Sequence, residues 1–170
     1  AVTVFSENQV GLLNQITIIF TRRSINIETL SVSPSALPGI HKFTITCYTD
    51  KDMIVKVVKQ IDKRIDVLKS YYNIDEELVH QEIALYKISS KKILARGIME
   101  DLIRKHNMQV LELNEHYVVF QKTGHHAETQ ALFDELHAST GVLQFIRSGR
   151  VAITKSKIER LSDMLTYMEE

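Results

Sequence analysis

The chain has 170 residues, 44% apolar and 25% charged, enough for one medium domain or two small ones and ordinary for a soluble globular protein. Lys plus Arg number 21 and Asp plus Glu number 21, which argues against nucleic acid as a partner, because neutralising phosphates needs a basic excess or a basic face. No apolar run approaches the ~20 residues of a membrane span, no secretory signal is visible, and Cys47, the only cysteine, permits no internal disulfide; a cytoplasmic protein is expected.

The β-branched and aromatic run "AVTVF" predicts a strand. Ser6 to Val10 is a polar connection. From Gly11 to Arg23 the apolar residues Leu12, Leu13, Ile16, Ile19 and Phe20 fall at helical spacing. "NIETLSVSP" and "IHKFTITCYT" read as strands, and "SALPG" between them, with Pro38 and Gly39, makes the pair a hairpin. Cys47 reads as a small packed residue of the second strand. "DKDMIVKVVKQIDKR" is a helix capped by Asp50, and "IDVLKSYYNI" closes a β-α-β-β-α-β series.

Past the polar stretch "NIDEEL", Asn73 to Leu78, the order recurs. "VHQEIALYKISS" is a strand, and "KKILARGIMEDLIRKH" is one helix in which Gly97 costs about 1 kcal/mol relative to Ala. "MQVLEL" and "HYVVFQKT" are strands joined at Asn114 and Glu115, and "HHAETQALFDELHAS" is a helix with Ala127, Leu132, Phe133 and Leu136 inward. "GVLQFIRSGRVAITK" is extended with a bend at Gly149, and "SKIERLSDMLTYMEE" is a final amphipathic helix, apolar at Ile158, Leu161, Met164, Leu165 and Met168. The fold class is α+β: two ferredoxin-like sandwiches, residues 1–75 and 78–170. Each sheet has helices on one face only, so two chains are expected to pair by edge or face into a homodimer.

Function must come from a site rather than the fold. No phosphate-binding Walker loop, nucleophile elbow, Cys-His pair or paired-carboxylate arrangement is present. His125 and His126, with His116 nearby in sequence, are adjacent residues that point in different directions, and no second cluster has ligand spacing. Arg147-Ser148-Gly149-Arg150 reads either as an anion site or as a bent strand. The informative stretch is "SENQVGLLNQITIIFTRRSINIETLSVSP", Ser6 to Pro34. Gly11 opens a helix whose first N–H groups lack internal partners and favour an anion, and it lets a ligand approach the backbone. Asn8 and Asn26 offer donors and acceptors suited to a carboxylate or an ammonium. The same three residues also read as a turn glycine and two caps. Arg22 and Arg23 read as solvated residues at a helix C-terminus or as a contact with a partner.

The segments "ENQVGLL", "IFTRRS", "INIETLSVSP", "PGIHKFTI", "QIDKRIDVLK", "HQEIALYKI" and "RSGRVAI" together resemble the small regulatory subunit of acetohydroxyacid (acetolactate) synthase over about residues 1 to 155. The resemblance implies that residues 1–75 form an ACT domain binding a branched-chain amino acid, usually valine, across a dimer interface. The effector residues it implies are Asn8, Gly11, Leu12 and Leu13 from one chain, facing Asn26 and Ile27 of its partner. It further implies a non-catalytic chain without a cofactor of its own, attached to a large catalytic subunit that carries thiamine diphosphate, Mg²⁺ and FAD. Such subunits activate their partner and confer feedback inhibition. Two positions depart from the family pattern: Val10 replaces a proline, and Ser24-Ile25 replaces Gly-Tyr, so Ser24 must accept the backbone angles of that turn. A stand-alone ACT-type amino-acid sensor is the alternative. An acylphosphatase-type enzyme would need an arginine that "SENQVG" lacks.

Overall fold

The computed structural model describes residues 1–156; the final amphipathic helix expected over Ile158 to Met168 lies outside the described residues. The described residues form two compact units, residues 1–79 with 150–156, and residues 80–149. The first unit runs β1 (Val2–Glu7), α1 (Leu12–Arg22), β2 (Ile27–Pro34), β3 (Ile40–Cys47), α2 (Lys51–Asp62) and β4 (Val67–Tyr72). Its antiparallel sheet has the order β2-β3-β1-β4, the ferredoxin-like arrangement that the element order predicts.

Strand alternation builds the core. The register sets Val2 opposite Ile45 and Val4 opposite Phe43, so these four share the face that meets the helices. Onto it pack Leu12, Ile16, Ile19 and Phe20 of α1, spaced i, i+4, i+7 and i+8, and Ile54, Val57 and Ile61 of α2. Fully burying each such side chain contributes roughly 1.5–3 kcal/mol. Asp50 caps α2 as expected, its carboxylate accepting from the Met53 N–H at 2.7 Å.

The other face of this sheet does not stay empty. Lys42, opposite Phe5 on that face, donates to the Ala152 carbonyl. Ala152 lies in β9 (Val151–Thr154), which pairs with β5, whose first residues belong to the first unit. The Arg150 guanidinium meets Asp75 at 2.6 Å, and Lys155 N–H donates to the Glu77 carbonyl at 2.9 Å. The chain's late segment therefore returns to the first unit.

The second unit comprises β5 (Leu78–Ser89), α3 (Ser90–Arg96), α4 (Met99–His106), β6 (Gln109–Leu113), β7 (Tyr117–Gly124), α5 (His126–Ser139) and β8 (Gln144–Arg147). The path β6-β7-β5-β8 repeats the order of the first sheet. Its core gathers Ala84, Tyr86, Ile88, Ile93, Leu102, Val118, Phe120, Leu132 and Leu136.

Two expectations are corrected here. The helix over Lys91 to His106 is broken: Gly97 adopts φ +63 and ends α3, and α4 starts afresh at Met99. In a continuous helix Ile93 and Leu102 would point roughly 180° apart at ~100° per residue. The break re-phases the chain so that both are buried, at 0% and 5% exposure, and it leaves Leu94 exposed. In α5, Ala127 is exposed and Thr129 is buried in its stead. Gly149, at φ +80, separates β8 from β9 and makes the expected bend.

Candidate functional site

The connection between β1 and α1 is moored from both sides. Glu7 N–H donates to the Asp66 carbonyl at 2.9 Å, and Asn8 N–H donates to the Gly39 carbonyl at 3.3 Å. Between these anchors and the helix, Asn8, Gln9, Val10 and Gly11 are all exposed. Gly11 is the N-cap and has φ +83, a left-handed conformation that L side chains adopt only at a cost. A Cβ built on Gly11 would have nothing within 4 Å. The glycine is thus required by its backbone angle, and the space in front of it is open.

No side chain caps α1, and its first turn holds no acidic residue. Leu12 N–H donates to the Gln9 carbonyl at 3.4 Å; the following N–H groups of the first turn and the positive end of the dipole are left for an external acceptor. Leu12 is 2% exposed and belongs to the core, whereas Leu13 is 43% exposed beside the open glycine. The helical stripe read from the sequence includes Leu13, but the core takes up only Leu12, Ile16, Ile19 and Phe20.

At the far end α1 closes with a left-handed residue. Ser24 has φ +55; its N–H donates to the Thr21 carbonyl and the Ile25 N–H to the Phe20 carbonyl, at 3.0 and 2.9 Å. These two bonds form a Schellman motif, with buried Ile25 as its hydrophobic contact. Ser24 therefore takes the angles a glycine would take. The motif turns the chain into β2 and presents Asn26, exposed, ahead of half-buried Ile27. Asn26 Nδ2 donates to Glu28 Oε1 at 3.3 Å. Of the two arginines, Arg23 is held inside the unit by Gln60 (3.2 Å) and Met53 Sδ (3.8 Å), and Arg22 is exposed.

Within one chain the structure brings Asn8 and Gly11 together with Leu12 and Leu13, and Asn26 together with Ile27. It does not bring the two groups to each other. They flank the 11 residues of α1, which rise about 16 Å at ~1.5 Å per residue.

The second unit holds a polar cluster that sequence spacing did not reveal. Glu82, 5% exposed, has the Arg147 guanidinium Nε at 3.2 Å and His126 Nδ1 at 3.6 Å, and it accepts from the Thr129 hydroxyl. The Arg147 Nε–H is not aligned as a hydrogen bond, so this contact is an ion pair; Arg147 Nη2 donates to Gln130 Oε1. Tyr86 donates to the Thr129 carbonyl at 2.6 Å, and burial pushes its phenol above the ordinary range. The sequence signal was a glutamate in alternation with Ala84, Tyr86 and Ile88 of the same strand. With Arg147 on Glu82 and Arg150 on Asp75, the Arg147–Arg150 segment is an ion-paired connection from β8 to β9, not the continuous bent strand expected, and its two arginines are engaged rather than open to an anion. The His125 ring stacks on His80 at 4.2 Å, and among the described residues no three His, Cys, Asp or Glu side chains gather to hold a metal.

Comparison with known proteins gives a consistent family. The model of the AHAS small subunit-like ACT domain matches residues 2–69, and that of the small subunit of acetolactate synthase matches residues 81–156. The acetolactate synthase small subunit of Bacillus subtilis is 28% identical over 166 residues, covering 97% of this chain and 95% of the relative. That of Buchnera aphidicola subsp. Baizongia pistaciae is 29% identical over 154 residues, covering 91% and 96%. The crystal structure of the small subunit from Thermotoga maritima superposes with a TM-score of 0.81 at 23% identity, over 92% of this chain and 97% of that one, and so shares its fold. Matched in both of its halves by models of one and the same subunit, the chain belongs to the acetolactate synthase small-subunit family.

Proposed function

We propose that this chain is a non-catalytic regulatory subunit that activates an acetolactate synthase catalytic subunit and makes it subject to feedback inhibition by a branched-chain amino acid, valine. In this reading the thiamine diphosphate, Mg²⁺ and FAD all reside on the catalytic partner, and residues 1–75 sense the effector.

One observation carries the sensing half: two exposed half-sites stand at opposite ends of α1, too far apart for one amino acid to touch both in a single chain. A two-fold axis resolves this, because it sets the Asn8–Gly11 loop of one protomer against Asn26 of its partner and generates two equivalent pockets. The ligand carboxylate meets the uncapped start of α1, where donors and dipole favour an anion. Exposed Leu13 and half-buried Ile27 offer apolar surface to the ligand's side chain. A homodimer is therefore part of the function. Feedback is then linkage: valine across the interface favours one arrangement of the two sensing units, and the catalytic subunit favours the other.

Titration calorimetry of the full chain with valine, leucine and isoleucine tests the sensing half, and acetolactate formation by the cognate catalytic subunit, with and without this chain, tests the activating half. The expected outcome is saturable valine binding, a rise in rate on adding the chain, and loss of that rise with valine. A folded dimer that binds none of the three amino acids removes the sensing role; an unchanged rate removes the activating one.

A further inference from the structure

We propose that Glu28 recognises the ligand's ammonium, so that the pocket selects an α-amino acid over the 2-oxo acid of the same carbon skeleton. The proposal rests on the sensing reading above and goes on to say which chemistry the pocket accepts.

The two half-sites differ in hydrogen-bonding character. The Gly11 end offers donors: an uncapped helix start with no acid in its first turn. The Asn26 end offers acceptors. β2 is an edge strand, and its register with β3 jumps from Ile27 opposite Cys47 to Thr29 opposite Thr46. Glu28 is thus the extra residue of a bulge, a device that re-aims a side chain next to a site. Its carboxylate oxygen Oε1 accepts from Asn26 Nδ2 at 3.3 Å, which turns that carboxamide so that Oδ1 remains as an acceptor. Among the described residues Glu28 has no ion-pair partner, and the neighbouring cation Arg23 is held by Gln60 and Met53.

An exposed carboxylate and an adjacent amide oxygen suit an ammonium, which brings three donors and no acceptor. Donors at one half-site and acceptors at the other, joined across the two-fold, match the two ends of a zwitterion. A 2-oxo acid carries the same carboxylate but presents a carbonyl oxygen where the ammonium would be. That oxygen faces the Glu28 carboxylate and Asn26 Oδ1, with the second Nδ2–H of Asn26 as the one donor beside them, and a polar contact so poorly matched discriminates against the 2-oxo acid.

The test is calorimetry on the full chain with valine and with 3-methyl-2-oxobutanoate, its 2-oxo counterpart, for the native protein and for Glu28→Gln. The amide of Glu28→Gln still accepts from Asn26 Nδ2, so the turn is kept and only the charge is lost; an unchanged unfolding midpoint verifies this. The native chain is expected to prefer valine at least tenfold. Glu28→Gln is expected to weaken valine about tenfold, the scale of one charge-assisted bond, while 3-methyl-2-oxobutanoate binds no more weakly than before, so the preference narrows. Native binding of both ligands alike, an unchanged valine affinity in Glu28→Gln, or equal weakening of both ligands overturns the role of Glu28 and leaves the sensing reading standing. A native chain that binds no amino acid overturns both.

Discussion

The helical stretches that follow the first strand of each unit, α1 in the first and α3 with α4 in the second, end alike and begin differently. α1 ends at Ser24, φ +55, followed by buried Ile25, whose N–H returns to Phe20; α4 ends at Asn107, φ +52, followed by buried Met108, whose N–H returns to Ile103. The starts share nothing. In the second unit β5 ends at Ser89 and α3 opens at Ser90 with no residue between, whereas the first unit inserts Asn8 to Gly11. The fold needs the common ending, which redirects the chain into the next strand. It does not need the insertion, since the second sheet forms the same order without it. The four-residue connection, moored at both sides with an uncapped helix behind it, is therefore particular to the first unit, as the proposed sensing role requires.

The largest expected effect lies in the second unit, whose comparable polar resources are buried rather than open. Removing one partner of a buried ion pair strands the other charge, at a cost of about 3–5 kcal/mol. Arg147→Ala is expected to destabilise the full chain by that order in a denaturant titration. Loss below about 1 kcal/mol would mean that the Glu82 cluster is wet and adaptable, and that the two units differ less than argued. Next comes Gly11→Asp, which gives α1 the anion its start lacks and forces a side chain to φ +83. Valine should bind at least ~100-fold more weakly by calorimetry, with about 1 kcal/mol of stability lost to the backbone angle. Unchanged binding would make the insertion a plain turn.

A smaller effect probes the shared ending. Asn tolerates the left-handed region better than Ser, so Ser24→Gly is expected to stabilise the chain by about 1 kcal/mol and Asn107→Gly by less, in parallel thermal unfolding. Equal gains would mean that the two turns are equally strained.

These contrasts also mark what was legible in the sequence. Local rules sufficed for the two β-α-β-β-α-β series, the hairpin at Pro38 and Gly39 and the Asp50 cap, because each depends on residues within one turn or one strand. The demand on Ser24 came from the resemblance, in which a glycine stands at that position. The break at Gly97 did not, since helical periodicity was strong on both sides. The deciding fact was tertiary, namely that Ile93 and Leu102 share one core. Thr129 was hidden for the same reason: its burial depends on Glu82 and Arg147, far away in sequence. Within the candidate site the motif pointed to Asn8, Gly11 and Asn26, but that Leu13 stays exposed while Leu12 is buried emerged only from the packing of α1.

The smallest effect concerns the clasp between α1 and α2 in the first unit and between α4 and α5 in the second. In the first unit it is neutral on one side, Arg23 Nε donating to Gln60 Oε1 at 3.2 Å; in the second it is His106 Nε2 against Glu135 Oε2 at 2.6 Å, with Lys105 at 3.2 Å. The bond from His106, and then Lys105, hold the Glu135 carboxyl below its ordinary value of 4.5. A carboxyl lowered in the folded state contributes stability that is complete above 4.5 and is lost as the pH falls through the folded-state value. The Glu135 side chain is 35% exposed, so screening keeps the contribution under about 1 kcal/mol. Native chain and Glu135→Gln, unfolded by denaturant at stepwise lower pH, should therefore converge on the acid side of 4.5 and separate above it, whereas Gln60→Ala should shift stability by the same amount at every pH. A gap between native and Glu135→Gln that persisted into acid would show the clasp acting through packing in both units, and the ionic distinction between them would fall.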